Sequence, residues 1–264
     1  MTAVTDPARE LAEIAERLTQ GSNSPGEAFL PGVFGVEPWS TEFVKIVGCI
    51  LERADLVGRI VQQSGAMDYD HKASALNDLA QFKQGFTGTA LRVAWNQAGG
   101  GLPIMKDHGR PLQYLSPIVR AEVRYPKLSE ADVAEFLELI DSYAEELKQS
   151  DEGPEFVRQA IRDGLAAFRF QLEKIGWMGS GYALAAFREV MIVYEASKFQ
   201  FSDAANVDSS AVLKGLWNIL TKFKKKAEEA KSWGDTAETL WKVYQLGSSV
   251  ATPLLLAGKA HGSM

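Results

Sequence analysis

The chain has 264 residues and very little of what most catalysts and disulfide-stapled proteins are built from. It has one cysteine, Cys49, so no intramolecular disulfide can form, and a reducing, cytoplasmic setting is expected. Its three histidines, His71, His108 and His261, confine imidazole chemistry to three places. It also lacks the roughly twenty consecutive apolar residues that a membrane-spanning helix needs. The uncharged run at 243–258 is sixteen residues long and contains Gln245, Gly247, Ser248, Ser249, Thr252 and Pro253, so it is not expected to span. At the other end, MTAVTDPARELAEIAERL carries acids early and has no apolar core, which is not the pattern of a secretory leader.

What is present is a foldable composition. Hydrophobic residues make up 46% and charged residues 23%, which excludes a disordered chain and supplies a core. The net charge of −6 hides a division at Ser209. From there onward the chain has eight lysines, no arginine and four acids, a balance of +4. The remainder holds 20 basic and 30 acidic residues, a balance of −10. Two regions are therefore expected, an acidic body over 1–208 and a basic amphipathic segment over 209–264, packed on the body or tethered to it.

Helical periodicity dominates the body. Asp6-Pro7 reads as a cap and first-turn pair opening a helix to about Thr19, followed by a Gly/Pro-rich connector, GSNSPGEAFLPGVFGVEPW. Ser40 caps a helix with Phe43, Val47, Ile50, Leu51, Ala54, Val57 and Val61 at helical spacing, ending at Ser64-Gly65. Another runs from Asp68 to about Gln84. The region 86–126, with AGGG at 98–101 and four prolines, reads as helix with long ordered loops. Three amphipathic helices then follow. Ser129 and Asp132 begin the first, with Val133, Phe136, Leu137, Ile140 and Leu147 on one face. Pro154 begins the second, and GWMGSG leads to the third. The expected fold is all-α, a helical bundle with long ordered Gly/Pro-rich loops and a C-terminal amphipathic helical segment.

Catalytic patterns are sparse. Asp68-Tyr69-Asp70-His71 begins like a calcium loop, but Ala73 stands where glycine belongs and Leu79 where the bidentate acid belongs. Gly179-Ser180-Gly181 lacks the outer glycines of a nucleophile elbow, and Ala98–Gly101 is not followed by the Lys-Ser/Thr of a phosphate loop. The Glu-x-x-His pairs of di-iron bundles are absent, as is the Arg placed four to six residues before a His in small helical ribonucleases. Neither a cofactor nor a metal is expected. The remaining catalytic candidates are Asp107, His108 and Arg110, where a carboxylate beside an imidazole could orient a base, although D-H-G-R-P is also ordinary turn chemistry. Arg158, Arg162 and Arg169 could hold an anion, but nearby Glu155 and Asp163 make intrahelical pairing the simpler reading.

The basic segment carries the functional expectation. In SSAVLKGLWNILTKFKKKAEEAKSWGD, Val212, Leu216, Ile219, Leu220 and Phe223 share one helical face. Lys214, Lys222, Lys224, Lys225 and Lys226 crowd the other side, and Trp217, Trp233 and Trp241 punctuate the stretch. Lysines opposite Trp, Phe and Leu suit an interfacial membrane helix, a helix for a grooved partner, or a terminal bundle helix on an acidic body. The docking surface is thus expected at Lys214, Trp217, Lys222, Phe223, Lys224, Lys225, Lys226, Trp233 and Trp241. Its expected partner is a protein, including a second copy of the chain, or an anionic membrane surface. Nucleic acid is the weakest option, because every base in the segment is lysine. A non-enzymatic interaction or regulatory protein is the first reading. The alternatives are a hydrolytic enzyme using the 86–126 loops and a membrane-active effector with a releasable tail.

Overall fold

The computed structural model describes residues 4–200 and 210–229, and among these the protein is all-α. The first half is a layer of α1 (Pro7–Arg17), α2 (Gly26–Phe34), α3 (Thr41–Gln63) and α4 (Tyr69–Gln84). Short turns follow: α5 (Gly88–Arg92), α6 (Gly101–Ile104), a π-helical turn over Met105–Gly109, a 3-10 stretch over Arg110–Leu115, and α7 (Ser116–Glu122). The second half is a bundle of α8 (Glu130–Gln149), α9 (Glu155–Glu173), the single turn α10 (Ile175–Met178), α11 (Ser180–Gln200) and α12 (Ala211–Glu229). A two-residue antiparallel pair, β1 (Val4–Thr5) with β2 (Tyr125–Pro126), ties the N-terminal strand to the start of the second half.

Local chemistry explains most of the boundaries. Asp6, Ser40 and Asp68 each accept a hydrogen bond from the backbone N–H three residues on, satisfying a donor that the first helical turn leaves open. Ser129 and Asp132 complete a reciprocal capping box at α8. Ser210 Oγ accepts from Leu213 N at 3.1 Å and begins α12.

Two regions differ from the sequence reading. The expected connector after Thr19 contains α2, with Pro25 at its cap, Pro31 inside it and Gly35 ending it in the left-handed conformation. Packing overrides propensity there: Leu30 and Phe34 are fully buried, and a Cβ on Gly26 would come within 2.6 Å of the Ala90 carbonyl oxygen. Region 86–126 is a chain of short helical turns rather than long loops. Trp95 organises it, since its ring is fully buried against Gly101 and its Nε1 donates to the Leu18 carbonyl at 2.9 Å.

The core runs through both halves. In the bundle, the ring centroid of Phe223 of α12 is 5.1 Å from Phe136, 5.1 Å from Phe168 and 4.4 Å from Phe187, and Phe168 and Phe187 are 5.8 Å apart. Val212, Leu213, Leu216, Ile219 and Leu220 are buried beside it. Tyr143 of α8 packs so closely on Gly215 that a Cβ there would meet its ring at 2.4 Å, and its hydroxyl donates to the Val212 carbonyl at 2.6 Å. Ala211–Glu229, at the start of the basic segment, is therefore a bundle helix whose apolar stripe belongs to the core.

Candidate functional site

Packing fixes which side of α12 meets solvent. Successive residues advance about 100° around a helix, and the buried positions 212, 216, 219, 220 and 223 occupy one side. Lys214, Trp217, Asn218, Thr221, Lys222, Lys224 and Lys225 fall on the opposite side and are exposed. Trp217 is 49% exposed; its ring stacks on Tyr194 of α11 at 5.2 Å, and Lys198 Nζ lies 4.7 Å from the Tyr194 ring. The indole is thus held in place at the flank of the lysine face.

The lysines divide by position. Lys222 reaches Glu135 at 3.7 Å and Lys226 reaches Asp132 at 2.9 Å, both on α8, so the rim nearest α8 docks onto the acidic body. Such surface pairs add little stability, with a median near 0 to 1 kcal/mol. Glu152 fixes the start of the helix, its Oε2 accepting from Ala211 N at 3.0 Å, where a carboxylate also complements the helix dipole. Lys214 and Lys225, eleven residues apart and close to the centre of the exposed side, have no acidic partner among the described residues. Phe223 belongs to the core rather than to any surface. Trp233 and Trp241 lie outside the described residues.

The loop candidates do not assemble. His108 Nδ1 meets Asp78 of α4 at 2.8 Å, not Asp107, which is exposed on the π-helical turn. Arg110 turns to Glu16 of α1 at 2.5 Å. A surface cavity of about 760 Å³ is lined by Arg110, Arg9, Glu16 and Tyr114, but neither Asp107 nor His108 reaches it. His108 and Arg110 therefore serve two separate contacts, and Asp107 joins neither. The other motif residues have structural duties as well. Asp68 caps α4, and its carboxyl lies below the usual carboxylate range because the His71 backbone and ring donate to it. Arg158 and Arg162 both bond Glu155, while Arg169 grips Asp141 at 2.6 and 3.0 Å. No group of three metal-ligating side chains occurs among the described residues. Nor is any described helix long and apolar enough to cross a membrane.

The sequence reading missed a buried polar network between the two halves. Glu10 accepts from Arg53 Nη1 at 3.1 Å and from the Ser180 backbone N–H at 3.0 Å, and Arg53 also donates to the Trp177 carbonyl. Asp6, fully buried, accepts from Ser116 Oγ at 2.5 Å and from Arg120 at 3.2 Å. Gly179 sits at φ +95°, and a Cβ there would lie 2.5 Å from Arg53 and 2.6 Å from Glu10, so this turn requires glycine. A signal was available: Glu10 and Arg53 each stand at the i+3 position of an apolar helical stripe. Nearby, burial pushes the Cys49 thiol up to about 12, which leaves it un-ionised and a poor nucleophile.

No family model, curated protein or solved structure matches this chain, so the functional argument rests on its own side chains.

Proposed function

We propose that this is a non-enzymatic helical interaction protein that docks on an anionic membrane surface through the outer face of α12 and the basic segment that follows it. The observation that carries this reading is the solvent-facing set Lys214, Lys222, Lys224 and Lys225 beside the half-exposed Trp217. The apolar stripe of the same helix is already spent in the core, so α12 offers a partner charge and one aromatic ring rather than a hydrophobic groove filler. That combination suits lipid headgroups, where each lysine near an anionic surface contributes about 1 kcal/mol and a tryptophan favours the interface. Lys214 and Lys225, which have no acidic partner among the described residues, amount to roughly 2 kcal/mol, a weak, reversible and salt-sensitive attraction. Lys231, Lys242 and Lys259 extend the positive charge along the sequence, and the uncharged run 243–258 adds apolar residues beyond it. The acidic body, at −10, would face away from such a surface.

Because His108 pairs with Asp78, Arg110 with Glu16, and Asp107 with neither, the hydrolytic reading has no support. The releasable-tail reading meets a cost, because lifting α12 would expose Phe223 and its neighbours. Co-sedimentation of the full chain with vesicles tests the proposal. Pelleting with phosphatidylserine-containing vesicles, absent with neutral ones and lost at high salt, is expected. Equal behaviour with both lipid compositions would refute it.

A further inference from the structure

The inner side of α3 belongs to the core, and its outer side is open. Thr41, Val44, Gly48, Asp55, Arg59 and Gln62 lie within about 40° of one line along the helix, and all but the half-buried Gly48 are exposed. Val44 is 57% exposed, at a position that an amphipathic helix ordinarily gives to a polar residue. A Cβ on Gly48 would meet nothing within 4 Å, so the middle of this face has room for a side chain and carries none. Glycine inside a helix is less stable than alanine, and here no packing within the chain requires it.

The two flanks of the face differ. One carries Lys45 and Glu52, three residues before Gly48 and four after it, both exposed. Neither has an ion pair among the described residues: Lys45 Nζ lies 5.2 Å from the Phe170 ring, and Glu52 accepts one hydrogen bond, from the Tyr182 hydroxyl. They stand about 10 Å apart along the helix, too far to pair with each other. The opposite flank carries Val47 and Leu51, both only partly buried against the core. Opposite charges, unspent and placed almost evenly about a central glycine, make the face complementary to itself when reversed.

We propose that a second copy of this chain covers this face, with α3 packed antiparallel on α3 across a twofold axis beside Gly48. Such an axis keeps each flank on its own side of the interface. Lys45 of each copy then comes level with Glu52 of the other, giving two ion pairs, and on the opposite flank Val44 of each packs against Leu51 of the other. Gly48 falls where the helices approach most closely, which accounts for its missing side chain. A parallel pairing would instead turn each charged flank toward the apolar flank of the other copy. A contact confined to one helix face is small, so the dimer is reversible, with a dissociation constant on the order of 100 μM.

Sedimentation velocity of the full chain without lipid, from about 5 to about 500 μM, tests this apart from membrane docking. The unmodified chain is expected to pass from monomer to dimer over that range. Lys45→Glu and Glu52→Lys should each raise the dissociation constant at least about tenfold, because one variant presents only acids at the two positions and the other only lysines. Mixed in equal amounts, the two variants should recover dimer, as a heterodimer whose pairs are again opposite in sign. Gly48→Arg, at a position open to a side chain, should keep or raise thermal stability while abolishing association, which separates a lost interface from a lost fold. An unmodified chain that stays monomeric at the highest concentration, single variants that associate as it does, an equal mixture that stays monomeric, or undiminished association of Gly48→Arg would each overturn the inference.

Discussion

Arg53 is 4% exposed and spends its charge on Glu10, two residues whose helices are joined by no short-range feature of the chain. Burying such a pair costs each ion several kcal/mol of hydration, which the mutual attraction and the bonds to Ser180 N and the Trp177 carbonyl offset. Removing one partner is far worse than removing both. Arg53→Met should therefore lower unfolding free energy by about 3–5 kcal/mol in urea titration, because Glu10 keeps a buried charge with no counter-ion. The double variant Glu10→Gln/Arg53→Met should recover most of that loss. A double variant no better than the single would show that the pair acts by shape rather than charge. These roles were only partly legible in the sequence. The i+3 position of Glu10 and Arg53 on apolar stripes marks them as inward-facing, but partners 43 and 170 residues from Glu10 cannot be read from spacing. The same holds for His108, whose partner is Asp78 rather than its neighbour Asp107.

Elements with strong local chemistry were the readable ones. Ser40, Asp68 and Ser129 announce helices because a cap followed by apolar periodicity is a local rule. α2 was not legible, since two prolines and three glycines near it speak for a loop and only burial of Leu30 and Phe34 decides otherwise. The short turns of 86–126 depend likewise on the distant ring of Trp95. At α8, Asp132 links cap and bundle: its carboxyl is held below its ordinary value of 3.8 by the Ser129 hydroxyl first and by Lys226 of α12 second. A depressed carboxyl stabilises the fold fully above its unfolded pKa, and that contribution fades as pH falls through the lower folded value. Stability should thus drop as pH falls below about 4, and Asp132→Asn should show a smaller drop there. Denaturant midpoints measured across pH check this; parallel curves for the two proteins would contradict it.

For the whole molecule, α12 joins an acidic body to a basic C-terminal segment and has a different duty on each side. Its inner face completes the bundle around Phe223, and its outer face is the proposed point of contact with an anionic surface. The charge division at Ser209 was visible in composition, whereas the assignment of each lysine to rim or centre needed the packing of the helix. Deleting 209–264 would also uncover Phe136, Phe168 and Phe187, so deletion confounds docking with folding. Substitution at Lys214 and Lys225 avoids this, because both are exposed and neither has an acidic partner among the described residues. Surface substitutions of that kind usually change stability by no more than about 0.5 kcal/mol. The most direct measurement is co-sedimentation of the full chain and of Lys214→Glu/Lys225→Glu with phosphatidylserine-containing vesicles at low salt, with unfolding curves recorded for both. Matched stability with pelleting lost in the double variant is the predicted result. Undiminished pelleting of the double variant would contradict the account and remove α12 from the docking surface.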